Sequence, residues 1–374
     1  MDNLYWGLAG IALTFFAHYF FVTVVLGLTV LIPIYEIKGR ISKDNDYIKF
    51  ARRLTSYLIR VDLFAGVLAT WLTVFLAGYW PSLLYIATNI LFYPISVAVA
   101  GIMIAIVSMA LYWYTWDRMG HNAHIVVGIF MMVGALMVAY GMTSIFATLD
   151  FPYGVTTEKV AGLTLFVASN QNPLNNPIFT PMALYTWFIS IALSSFVVLA
   201  YASVKGRKEN SSEFKKGIGI ARLSTIIFSI LSIIMFFATV KELQINSQYL
   251  YSQMSAKGYL IISTVLLIMG TLLGFATVFR KTRMISALVG GGVVYVFILF
   301  FEITLNISRY PYIIVTGSTG IQASEMVNPL FNIPVLLPDF AVLTLVLMLV
   351  TFLFTLYLSF IRFPVNSRST PDDI

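Results

Sequence analysis

His18 stands near the middle of the first long apolar run, about 15–20 Å from the N-terminal end of that run at 1.5 Å per helical residue. A titratable side chain at such a depth is expensive and is a functional candidate by default. A neutral imidazole there has two natural uses, a hydrogen bond across helices or axial ligation of a haem iron. Gly10, Thr14 and Ala17 share its helical face, so a flat group or a second helix could come close. Glu302 lies one turn from the C-terminal end of the eighth apolar run. Arg60 and Asp62 sit in the second run, two residues apart and so not facing each other, and each is expected to snorkel or to pair with another span. Asp339 opens the ninth run, where a carboxylate caps a helix N-terminus. His121 and His124 are three apart and could meet one metal. With no third ligand in sight they are expected to be a solvated surface pair.

The elements that must hold these side chains are apolar helices. Of 374 residues, 59% are hydrophobic and 10% charged, against roughly 25% charged in a soluble domain. That composition excludes a disordered chain, a fibrous repeat and a water-soluble enzyme. A bilayer span needs about 20 mostly apolar residues. Nine runs qualify: about 5–35, 54–79, 83–116, 122–149, 178–204, 218–240, 258–279, 284–306 and 334–361. The first is too long for a cleaved signal peptide, and Asp2 stands where a basic flank would be. The chain reads as one all-α membrane domain over residues 1–374, with the connections 150–177 and 307–333 as ordered loops.

Charge gives the direction. Of the 23 Lys and Arg, 19 fall on one side of the spans; Lys159, Lys241, Lys257 and Arg309 fall on the other. The positive-inside rule then puts the N-terminus outside and the C-terminus inside, in agreement with an odd number of spans. Tyr5-Trp6, Tyr79-Trp80 and Tyr112-Trp113-Tyr114-Trp116 sit where aromatic belts belong. Gly101, Ala105 and Ser108, Gly270 and Gly274, and Gly290-Gly291-Gly292 read as stripes for close helix packing. Cysteine is absent, which removes disulfides and thiolate metal sites. No Walker loop, dinucleotide fingerprint or HExxH motif occurs, and no basic stripe outside the inner loops suits nucleic acid.

Several short motifs, in order and spacing, resemble subunit I of the cytochrome bd quinol oxidases. They are Leu13–Gly27 around His18, Gly66-Val67-Leu68-Ala69-Thr70, Trp116-Asp117-Arg118-Met119-Gly120 with His124 downstream, Pro152 with Gly154, Arg309-Tyr310-Pro311-Tyr312, and Asp339. The resemblance implies nine spans in a helix bundle with the N-terminus outside. It implies that His18 is an axial haem ligand at the oxygen-reducing haem pair, that Met254 is one ligand of a low-spin haem, and that Arg309 meets a haem propionate.

The departures are as informative. The family's two third-helix Glu positions hold Val97 and Ala105, the Glu that ligates the second high-spin haem is Asn306, and the low-spin haem His is Tyr185. Glu302, one turn before Asn306, is the available substitute ligand. Only about Lys241–Lys257 stands where the family has its long quinol loop. The expectation is a degenerate paralogue of subunit I, pairing with a complete subunit I in place of subunit II, together with small subunits and membrane lipid. It would hold one haem b or d at His18 or none, with a quinone as a further ligand, in the plasma membrane of a prokaryote. Two rivals are a divergent oxidase using His18, Glu302 and Met254, and a nine-span transporter or scaffold without redox chemistry.

Overall fold

The computed structural model describes residues 3–79, 91–160, 163–169, 171–209, 211–281 and 283–322, with isolated positions between 346 and 357. Among them, eight helices are long and apolar enough to cross a bilayer. They are α1 (Asn3–Ser42), α2 (Asn45–Tyr79), α3 (Phe92–Tyr114), α4 (His121–Asp150), α5 (Phe179–Glu209), α6 (Ser212–Asn246), α8 (Tyr259–Ala276) and α9 (Arg283–Arg309); the short α7 (Gln248–Ala256) joins α6 to α8. The ninth expected span, 334–361, lies largely outside the described residues, as does Asp339, and the described positions within it are helical.

Several helices outrun the apolar runs that announce them. The 40 residues of α1 make about 60 Å of helix, twice the hydrocarbon thickness, so its polar last turns stand clear of the apolar layer. The turn into α2 uses Lys43 at φ +53°, and the Asp44 amide closes back on the Gly39 carbonyl at 2.9 Å.

Consecutive helices pair antiparallel: α1 with α2, α3 with α4, α5 with α6, α8 with α9. The small-residue stripes set the close approaches. A Cβ on Gly134 would stand 2.6 Å from the Ala105 amide nitrogen, and one on Gly101 would stand 2.7 Å from the Gly134 carbonyl. Gly270 instead makes room for a side chain, the Val294 Cγ2 standing 2.7 Å from where its Cβ would be. Among the described spans the most buried is α5, packed by α1, α4, α6 and α9 around it.

The bundle has two unlike ends. At the basic end, Arg52 grips Asp117 at 2.7 and 3.1 Å, tying α2 to the turn before α4, and Arg53 meets Glu213 of α6 at 2.5 Å. Lys216 reaches Asp44 at 2.9 Å, and its hydrogen bond holds that carboxyl below the usual carboxylate range. At the other end, the two expected loops fold as antiparallel hairpins, β1 (Val155–Val160) with β2 (Leu163–Ala168) and β3 (Tyr312–Thr316) with β4 (Thr319–Gln322). Asn176 donates to the Ala147 and Phe151 carbonyls and so satisfies the C-terminus of α4. The α6–α8 connection is no free loop. Tyr249 of α7 donates its amide to Gly317 and its hydroxyl to Tyr310, both at 2.8 Å, which docks α7 on the β3–β4 hairpin.

Candidate cofactor-binding site

His18 lies half-buried on the α1–α2 seam. Its Nδ1 stands 2.9 Å from the Ala65 carbonyl oxygen of α2. A carbonyl only accepts, so Nδ1 carries the proton and Nε2 is the unprotonated nitrogen. Among the described residues Nε2 makes no hydrogen bond. That is the arrangement an iron-ligating imidazole takes, with one nitrogen oriented by a backbone acceptor and the other free. Thr14, one turn back, is fully buried, and Gly66, beside the acceptor, faces open space. His18 therefore fits an axial ligand.

The next residue, Tyr19, turns to a different neighbour and donates its hydroxyl to Glu302 Oε1 at 3.2 Å. Glu302 is buried on α9, and the structure gives it to Tyr19 rather than to His18. One turn on, Asn306 donates its amide to the Glu302 backbone carbonyl at 2.7 Å and accepts from Arg309. It is thus folded onto its own helix. Arg309, also buried, has Nε 3.5 Å from Asp150 Oδ1 and interacts electrostatically with both Asp150 and Glu302. With two protein carboxylates already facing it, Arg309 is poorly placed to serve a third on a haem propionate.

Tyr185 of α5 sits in a filled aromatic core. Phe236, Phe297 and Phe301 surround its ring with centroids 5.7–6.2 Å away. Its hydroxyl is buried without a hydrogen-bond partner. Met254 is fully buried on α7, four residues before Gly258, which opens the turn into α8 at φ +71°. Among the described residues its sulfur is not a hydrogen-bond partner of the Tyr185 hydroxyl. A flat macrocycle ligated at Tyr185 would have to displace the three phenylalanine rings packed around it, so Tyr185 does not fit a low-spin haem ligand. Among the described residues no cluster of three His, Asp or Glu could hold a metal ion by itself.

The expected solvated His pair is corrected. His121 is exposed, but His124 is fully buried. Its Nδ1 lies 2.9 Å from both oxygens of Glu36, and its Nε2 lies 2.8 Å from the Tyr112 carbonyl. Glu36 also accepts from the Tyr112 hydroxyl at 2.5 Å and from Arg40 at 3.2 Å. Trp116 closes the group edge-on to His124 at 4.7 Å. Glu36 and Asp150 escape sequence reasoning because each sits just past the end of an apolar run, where a carboxylate ordinarily meets water. The one usable signal is the four-residue step Tyr112–Trp116 ahead of His124. Arg60 lies over the Tyr57 ring, while Asp62 faces a cavity at the basic end.

Known proteins share this frame. The family model of cytochrome bd terminal oxidase subunit I matches residues 9–249, a stretch that includes His18 and Tyr185 and stops before Met254, Glu302, Asn306 and Arg309. A Bacillus subtilis (strain 168) protein named "Putative cytochrome bd menaquinol oxidase subunit I" is 25% identical over 242 residues, 62% of this chain and 53% of its own length. The chain thus spans about half the length of that curated relative. The structure of bd oxidase from Geobacillus thermodenitrificans contains a chain that superposes with a TM-score of 0.72 at 15% identity, covering 95% of this chain and 98% of that one. At that identity the likeness speaks for the fold.

Proposed function

The chain belongs to the cytochrome bd terminal oxidase subunit I family, and we propose that within it the chain is a degenerate paralogue, a structural partner of a complete subunit I in place of subunit II. Quinol oxidation coupled to reduction of oxygen to water would then be carried by that partner, in the plasma membrane of a prokaryote. The observation that carries this reading is the core around Tyr185. Where the family resemblance implies a haem ligand, three phenylalanine rings fill the space. Two further features agree with it. Asn306 is engaged by its own helix, and the segment 241–257 is consumed by the end of α6 and the docked α7, leaving no quinol loop.

One part of the machinery has geometry to keep a cofactor. His18 would hold a haem b or d through Nε2, with the Ala65 carbonyl fixing its tautomer. Such a haem supplies one-electron transfer and oxygen binding. The Ala65 carbonyl orients the imidazole, and Tyr19, the next residue, donates its hydroxyl to Glu302. A second reading, an oxidase catalytic in its own right, rests on this same His18 geometry.

A haem count separates the two. The tagged full chain is purified with whatever copurifies, haem is quantified per chain from reduced-minus-oxidised spectra, and quinol oxidation is followed as oxygen uptake. The expected result is none or one haem on this chain, lost in His18→Ala, and turnover only when a complete subunit I copurifies. Two or more haems with turnover by the isolated chain would overturn the partner role.

A further inference from the structure

The α1–α2 and α3–α4 pairs are each tightly joined, but α2 and α3 touch only lightly. At the basic end the gap between them opens into a cavity of about 1020 Å3. Its wall presents Arg40, Lys49, Arg52, Arg53, Arg60 and Lys205 against three carboxylates, Asp62, Asp117 and Glu213. Asp117 and Glu213 are taken by Arg52 and Arg53, and Arg40 turns to Glu36 behind the wall, its Nε left without a hydrogen bond. Lys49 is exposed and has no acidic partner among the described residues. By formal charge the wall carries six cations against three carboxylates.

The cavity also has a definite depth. Tyr57, Trp113, Tyr114 and Trp116 line it, the amphipathic rings that settle at the level of lipid headgroups. Its α3 side continues into an apolar track along the helix. Val99, Met103, Ile106 and Ala110, spaced by four, three and four residues, are all exposed on one face. A cationic chamber at headgroup level that runs into an exposed apolar track matches a molecule with an anionic head and a hydrocarbon tail.

We propose that this cavity binds the phosphodiester headgroup of an anionic phospholipid, with an acyl chain lying along the Val99–Met103–Ile106–Ala110 track. The lipid would fill the gap between the two helix pairs and join α2 to α3, which the protein's own side chains do only lightly.

The test uses the full chain, with any copurifying subunit, delipidated in detergent and examined by native mass spectrometry and thermal unfolding. The probes are dioleoyl phosphatidylglycerol, dioleoyl phosphatidylcholine and inorganic phosphate. The expected result is retention of phosphatidylglycerol about tenfold or more above phosphatidylcholine, with matching thermal stabilisation and no effect of inorganic phosphate. Lys49→Gln with Lys205→Gln abolishes that preference. Lys215→Gln with Lys281→Gln, which removes two cations at the same end outside the cavity, leaves it intact. Ala110→Trp weakens retention without altering charge, because it blocks the track on an exposed face. Equal retention of the two lipids, or unchanged retention in the Lys49/Lys205 variant, would overturn the proposal. Displacement of the lipid by inorganic phosphate would instead make the cavity a free-anion site.

Discussion

Glu36 and His124, 88 residues apart, form a buried pair in which the histidine Nδ1 is equidistant, at 2.9 Å, from both carboxylate oxygens. Because Nε2 faces the Tyr112 carbonyl, an acceptor stands at each ring nitrogen, and the pair holds one proton between its members. Removing either partner strands the other, and removing Glu36 also takes the acceptor from Tyr112 and Arg40. Glu36→Leu and His124→Leu are each expected to lower stability by ~3–5 kcal/mol, whereas the double variant loses clearly less than the sum. Detergent-phase unfolding of the three variants measures this, and simple additivity would show that the pair is not a unit.

The buried cations and anions at the opposite end are coupled in the same sense. Arg309 faces Asp150 and Glu302. Arg309→Met leaves two carboxylates without their cation and is expected to cost ~3–5 kcal/mol. Arg309→Lys keeps the charge but loses the planar fork that also meets Asn306, so it should fall between. Adding Asp150→Asn to Arg309→Met should restore part of the loss. If the combination is worse than Arg309→Met, the two residues do not compensate each other in the fold.

The helix pattern was legible because apolar runs and small-residue stripes are local properties. The eight described spans fall where those runs lie, and Gly101 and Gly134 meet as the small-residue stripe on α3 implies. The hairpins were less legible, because Val155–Ala168 is short and lies among the Asn, Pro and Gly of an apparent loop. The charged clusters were hardest. Glu36 shares its helix with Lys38 and Arg40 and looks like a solvated end, and only the approach of Tyr112 and His124 from two other helices makes it a core residue. His18 was legible as a candidate because no other His, Asp, Glu, Lys or Arg stands at its depth in α1. The fate of Tyr185 depends on three rings from α6 and α9, which no local pattern specifies.

Two glycines should respond in opposite directions. A Cβ at Gly134 would crowd the Ala105 backbone at 2.6 Å, so Gly134→Ala is expected to part α3 from α4 at ~1–3 kcal/mol. At Gly219, on the exposed side of α6, a Cβ meets nothing within 4 Å. Gly219→Ala should therefore stabilise the protein by up to ~1 kcal/mol through helix propensity. Paired melting curves decide the matter, and equal signs would argue against the close α3–α4 contact.

The Asp44–Lys216 contact gives a pH dependence of known sign. The hydrogen bond from Lys216 depresses the folded-state pKa of Asp44 below its ordinary value of 3.8. Its contribution is therefore fully present above that value and is lost as pH falls through the lower, folded-state pKa. The difference in melting temperature between the wild type and Asp44→Asn should be constant at neutral pH and shrink below about pH 4. The contact is exposed, so the difference should also shrink as salt is added. A difference that grows on acidification would reverse the sign.

Tyr185 offers the sharpest test of whether the chain has lost a haem site or disguised one. Its hydroxyl is buried without a hydrogen-bond partner, so Tyr185→Phe removes an unsatisfied polar group. The expected change in stability runs from none to a gain of ~1 kcal/mol, with haem content unaltered. Tyr185→His restores the residue type that the family resemblance implies, yet it does not move Phe236, Phe297 and Phe301. An imidazole set among those rings without an acceptor should cost ~1–3 kcal/mol and bring no new low-spin haem band. If Tyr185→His gained that band, or if Tyr185→Phe lost haem, the packed core would be a ligand site after all, and the chain would have to be counted among the haem-bearing subunits at that position.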